Sequence, residues 1–105
     1  MTDKRIALTT CDGMDSAARL ARALVERGLV ACVNLIPGMR SIYRWKGEIQ
    51  DDGEALLVMK TDLAHLPALT AAVEELHDYD TPELVVLPVE SGSQAYLDWI
   101  SESLA

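Results

Sequence analysis

The sequence predicts an α+β domain built on one antiparallel sheet, and three observations carry that reading. Segments of strand and helix character follow one another in the order β-α-β-β-α-β-α. The longest stretch, Ala31 to Lys60 (ACVNLIPGMRSIYRWKGEIQDDGEALLVMK), reads as two β runs folded back at Lys46-Gly47. The runs ACVNLI, ALLVM and LVVLPV are apolar at successive positions, so both of their faces call for cover.

The elements follow in order. Arg5–Thr10 (RIALTT) is a short strand, closed by a turn at Cys11-Asp12-Gly13 that leaves Cys11 reachable. Asp15 or Ser16 can cap a helix running to about Arg27, where Gly28 supplies a left-handed stop. Ala17, Leu20, Ala21, Leu24 and Val25 share one face of it, leaving Arg19, Arg22, Glu26 and Arg27 for water.

In the hairpin, Trp45 and Glu48 flank a two-residue turn, which pairs Arg44 with Ile49, Tyr43 with Gln50 and Ile42 with Asp51. The same register brings the break at Pro37-Gly38 near that at Asp51-Asp52-Gly53. Strands of some fourteen residues would run about 45–50 Å, whereas a globule of this size is about 25–30 Å across. A sheet-forming base (Ala31–Ile36 with Ala55–Lys60) therefore carries a distal arm (Met39–Asp52).

Asp62 opens a second helical region, with Pro67 early in it and Leu66, Leu69, Val73 and Leu76 as its buried stripe. Pro82 leads into a fourth strand, Glu83–Val89. Ser91-Gly92-Ser93 caps a last helix that packs through Tyr96, Leu97, Ile100 and Leu104, with Trp99 close to that side. The first six elements give a split βαβ, ferredoxin-like arrangement, with residues 1–105 as one domain.

Two helices cover only one face of such a sheet. About half its apolar surface is left without an internal partner, and exposed apolar patches of that size mark interfaces. An obligate homo-oligomer is expected, the arm reaching across to a neighbour. The alternative is a monomer whose last helix covers the second face.

Seventeen acidic residues against nine basic ones give a net charge of −8, which disfavours nucleic acid and anionic membrane surfaces and favours cations. Two cysteines, Cys11 and Cys32, are too few for a zinc knuckle or a CxxC redox pair. With no signal peptide or membrane span in view, the cytoplasm is the expected compartment.

No phosphate loop, GxSxG or HExxH is present, and nothing pairs a nucleophile with a base, so an enzyme is not expected. Three features could carry other chemistry. The loop His77-Asp78-Tyr79-Asp80-Thr81-Pro82-Glu83 offers His77, Asp80 and Glu83 as ligands for a divalent cation; equally, His77 can simply cap the helix before it. Cys32 is either a small core residue or a soft-metal ligand. Tyr43 and Trp45 share one side of the arm, with Arg40 and Arg44 on the other and Lys46 at the tip. They suit packing against a partner subunit, or a cleft that holds an anion against an aromatic wall.

At these residues the chain resembles the CutA family, the divalent-cation tolerance proteins. The likeness runs nearly end to end: TTC near the start, LVACVNLIPGMRSIYRWKGEI, ALLVMKT, the His77–Glu83 loop, LPV and YLDWI. It implies a ferredoxin-like subunit in a tight homotrimer, with long hairpins completing the sheets of adjacent subunits. It also implies binding of divalent cations such as copper or zinc, with no cofactor required, and a role in metal tolerance. Family members commonly carry His-Pro-Tyr-Glu in the loop; here it reads His77-Asp78-Tyr79-Asp80. Cys32 matches the cysteine of the family's ACVN. The expected metal ligands are His77 and Asp80, then Cys32 and Glu83. The fold and trimer also resemble PII-type signalling proteins, which implies a small effector in an inter-subunit cleft lined by Tyr43, Trp45, Lys60 and Tyr79, with Glu83 nearby.

Overall fold

A computed structural model describes residues 1–105. It contains β1 (Lys4–Cys11), α1 (Met14–Glu26), β2 (Cys32–Trp45), β3 (Glu48–Asp62), a 3-10 turn (Leu63–His65), α2 (Leu66–Leu76), β4 (Val85–Pro88) and α3 (Gln94–Ser103). The sheet order is β2-β3-β1-β4 and every neighbouring pair is antiparallel, which is the ferredoxin-like topology.

The hairpin folds in the expected register, from Trp45 opposite Glu48 to Ile42 opposite Asp51. Lys46 (φ 49°) and Gly47 (φ 82°) are both left-handed, as a turn matching strand twist requires. The break at Pro37-Gly38 is a bulge. Ile36 faces Leu56 and Met39 faces Glu54, so two residues of β2 stand opposite the single Ala55. Gly38 takes φ 76° there. Beyond the bulge the arm projects, and the molecule measures 44 Å along its long axis against 25 and 23 Å.

α1 and α2 lie on one face of the sheet. Leu20, Leu24, Leu69 and Val73 pack there against Leu57, Met59 and Ala7. On the other face α3 covers one end, through Leu97 and Ile100 against Ala31. The remainder of that face is apolar and open, with Ile36, Val85 and Leu87 each nearly half exposed. The last helix thus shields part of the second side and leaves the rest without cover.

Several local expectations are corrected. α1 begins at Met14 with Gly13 as its N-cap and no capping side chain, so Asp15 and Ser16 lie inside the helix. The Ser16 hydroxyl donates to Asp12 at 2.5 Å and lies 3.1 Å from the Gly13 carbonyl. Val25 is exposed, because the buried stripe ends with Leu24. β4 spans four residues: only Val85–Pro88 oppose β1, and Glu83 and Leu84 precede the paired stretch. Tyr96 is exposed and stacks on Trp99 with ring centroids 5.5 Å apart, leaving Leu97 and Ile100 as the buried contacts of α3. Asp62 and Ser93 cap as expected, accepting from the His65 and Tyr96 backbone N–H groups.

Candidate functional site

The end of β1, the start of α1 and the loop after α2 enclose a cavity of about 240 Å³, lined among others by Cys11, Asp12, Arg19, His77, Asp78 and Tyr79. His77 terminates α2, its N–H still donating to the Val73 carbonyl at 2.9 Å, and its ring turns onto β1. Tyr79 N–H donates to His77 Nδ1 at 3.0 Å, which fixes that nitrogen as the acceptor. The proton therefore sits on Nε2, which donates to the Thr10 carbonyl at 2.7 Å. The His77 side chain bridges a loop to a strand and does not reach back to close its own helix.

Cys11 Sγ lies 3.7 Å from His77 Nε2. Far from being reachable, Cys11 is only 3 % exposed, since it is the last paired residue of β1, opposite Ala55. Burial pushes its thiol up to about 11, and the nearby Asp12, Asp78 and Glu54 carboxylates push the same way. Tyr79 packs on His77 with centroids 4.8 Å apart and donates its hydroxyl to Glu54 at 2.8 Å. Burial, followed by that carboxylate, raises the Tyr79 phenol. At the exposed mouth Arg19 and Asp78 approach to 3.8 Å.

The other expected site residues lie elsewhere. Cys32 is on the opposite face, under α3. Its neighbours are Lys60 Nζ and the Tyr96 hydroxyl, each 3.7 Å from Sγ, and Lys60 also donates to Asn34 Oδ1. Asp80 and Glu83 are exposed in the loop beyond Tyr79. His77, Asp80, Cys32 and Glu83 are thus not gathered in one chain, and no group of three His, Cys, Asp or Glu side chains placed to hold a metal ion occurs. The sheet itself separates Cys32 from His77.

Tyr43, Trp45, Lys60 and Tyr79 are similarly dispersed. Tyr43 donates to Asp52 at 2.5 Å on the arm, which raises its phenol. Trp45 is 54 % exposed, with Lys46 Nζ 5.9 Å from its ring centroid. Arg40 is tied to Asp51 by two contacts of 2.6 and 3.2 Å, so it is not free to receive an anion. Cys11 is the residue that sequence reasoning set on a turn as reachable and left out of the ligand set. Its signal was its place at the very end of a strand, which only the β1–β3 register turns into proximity to the loop after α2.

Comparison with known proteins bears on the whole chain. The family described as CutA1 divalent ion tolerance protein matches residues 5–103. The divalent-cation tolerance protein CutA of Thermus thermophilus is 45 % identical over 100 residues, covering 95 % of this chain and 97 % of that one. Protein CutA of Mus musculus is 47 % identical over 96 residues, spanning 91 % of this chain and 54 % of the mouse protein. Among solved structures, Cut A1 from Thermus thermophilus superposes with a TM-score of 0.94 at 44 % identity, covering 97 % and 99 % of the two chains. CutA from Xylella fastidiosa gives 0.96 at 36 % identity, covering 99 % and 100 %. Fold and sequence agree along nearly the whole of this chain, and it belongs to the CutA1 divalent ion tolerance family.

Proposed function

We propose that this chain is a homotrimeric, cytoplasmic binder of divalent cations such as copper(II) or zinc, and that it acts in tolerance to those ions. The observation that carries the metal reading is the Cys11–His77 pair in its acidic surroundings. Two donors on one tetrahedral zinc stand about 3.5 Å apart, and Cys11 Sγ and His77 Nε2 stand 3.7 Å apart. Burial first keeps the proton on Cys11, and the three carboxylates that add to that effect make a field that favours a cation in its place. His77 and Cys11 would hold the ion once Nε2 gives up its proton and its bond to the Thr10 carbonyl and Cys11 gives up its thiol proton. Asp80 and Glu83, exposed farther along the loop, are the further ligands the reading calls on. The open apolar half of the sheet supports the trimer.

Calorimetry with copper(II) and zinc tests this. His77→Ala and Cys11→Ser are each expected to weaken binding by at least about tenfold. Binding is expected to release protons and to weaken as pH falls, because the thiol must ionise. Equal affinity in wild type and His77→Ala would remove His77 from the account.

A second reading, a small effector held where subunits meet, is favoured by Lys60. Its ammonium lies beside Cys32, whose sulfur also meets Tyr96 of the stacked Tyr96–Trp99 pair. A thermal-shift screen of nucleotides and metabolites addresses it: a stabilising hit abolished by Lys60→Ala and Trp45→Ala supports the reading, and no such hit removes it.

A further inference from the structure

Past α3 the chain is fastened first by Leu104 packing on the sheet and then by hydrogen bonds at Ala105. Ala105 N–H donates to the Gly28 carbonyl at 2.9 Å, and the Ala105 carbonyl lies 2.7 Å from His65 Nε2. The other ring nitrogen, Nδ1, lies 2.6 Å from Asp62 Oδ1, which also accepts the His65 backbone N–H at 3.0 Å. Gly28 sits at φ 69°, and a Cβ there would come within 2.4 Å of the Ala105 methyl. The seat is shaped for this tail.

Both groups facing the ring, the Asp62 carboxylate and the Ala105 backbone oxygen, only accept. A neutral imidazole has one N–H; it satisfies one acceptor and turns a lone pair on the other. The imidazolium alone donates to both. We propose that His65 is a proton-operated clasp: protonated, it holds the segment after α3 against the Gly28 turn and the end of β3; neutral, it lets that segment go.

Asp62 and the α-carboxyl of Ala105, residue 105 of 105, are the titratable groups that meet the ring, while the Gly28 turn presents backbone to the seat. The hydrogen bond to Asp62, then that to Ala105, raise the His65 pKa above 6.5 against the opposing effect of burial. A folded value above the unfolded one means that the clasp's contribution is complete below about pH 6.5. It is then lost as pH rises through the folded value. The consequence reaches α3, the one element of the chain that covers the second face, because Leu97, Ile100 and the partly buried Leu104 pack there against Ala31 just before the clasp.

The test is an NMR titration from about pH 5 to pH 9, following the His65 ring and the Ala105 methyl in the full chain. In wild type the two are expected to titrate with one shared midpoint above that of an unperturbed histidine. In His65→Gln the Ala105 methyl is expected to lose its titration. In Gly28→Ala, which expels Ala105 but leaves Asp62 in place, the His65 midpoint is expected to fall below the wild-type value. An Ala105 methyl that does not titrate in wild type overturns the proposal, as does one that titrates unchanged in His65→Gln. An unchanged His65 midpoint in Gly28→Ala overturns it too.

Discussion

Leu56→Asp is expected to break the assembly, so that sedimentation at micromolar concentration finds the 11.5 kDa chain in place of a trimer. Leu56 stands between Ile36 on β2 and Thr10 on β1, on the side of the sheet that α1 and α2 do not touch. Around it Val58 and Leu8 are half buried, and Ile36, Val85 and Leu87 are exposed. Each large apolar side chain covered there by a neighbouring copy contributes about 1.5–3 kcal/mol. A carboxylate placed in that seam without a partner removes one such contribution and adds a desolvation cost of several kcal/mol. A loss of about 3 kcal/mol already weakens association more than a hundredfold. Because folding and association are linked in an obligate oligomer, the melting temperature should also drop and become dependent on protein concentration. A Leu56→Asp protein that still sediments as the wild-type species would show that this face is not where copies meet.

The next residue along β3 predicts a different outcome. Leu57 is fully buried on the opposite face, within the cluster formed by α1, α2 and the sheet. Leu57→Ala should cost about 3 kcal/mol, from lost transfer energy and the cavity left behind. In a domain of this size that corresponds to a fall of more than about 10 °C in melting temperature. The association constant of the folded material should change little, since the side chain does not reach the open face. Chemical denaturation gives the first quantity and sedimentation the second. A loss under about 1 kcal/mol would mean that the helices do not clamp this strand.

That adjacent residues diverge so sharply explains what could be read beforehand. The hairpin register was legible because Lys46-Gly47 leaves one two-residue turn to choose, and pairing then follows residue by residue. Strand order followed from the element sequence and the handedness of crossovers. The open second face was legible as continuous apolar runs in β3 and β4, where a half-wetted sheet would alternate. The site was harder to see. Its parts come from β1, the start of α1 and the loop after α2, separated by as much as the span from Cys11 to Tyr79, and nothing local ties them. Ligand types counted within the His77–Glu83 loop pointed outward along the chain, whereas the partner of His77 lay across the fold at Cys11. Cys32 belonged to a recognisable run, and its apolar neighbours gave no sign of which side of the sheet it faced. The start of α1 was misplaced for a related reason: Asp15 and Ser16 are good capping residues, yet the backbone enters the helix at Gly13 with no side-chain cap, and Ser16 turns its hydroxyl to Asp12.

The bulge at Pro37-Gly38 acts as a parity switch. Below it, Val33 and Leu35 point toward α1 and α2, while Cys32 and Ile36 point away. One surplus residue inverts that rule, so the odd-numbered Tyr43 and Trp45 share the side of β3 that carries Leu56, Val58 and Lys60. Excising Gly38 alone would restore simple alternation and take away the bend, yet leave both aromatic rings on their present side, because the turn keeps Trp45 opposite Glu48 and Tyr43 opposite Gln50.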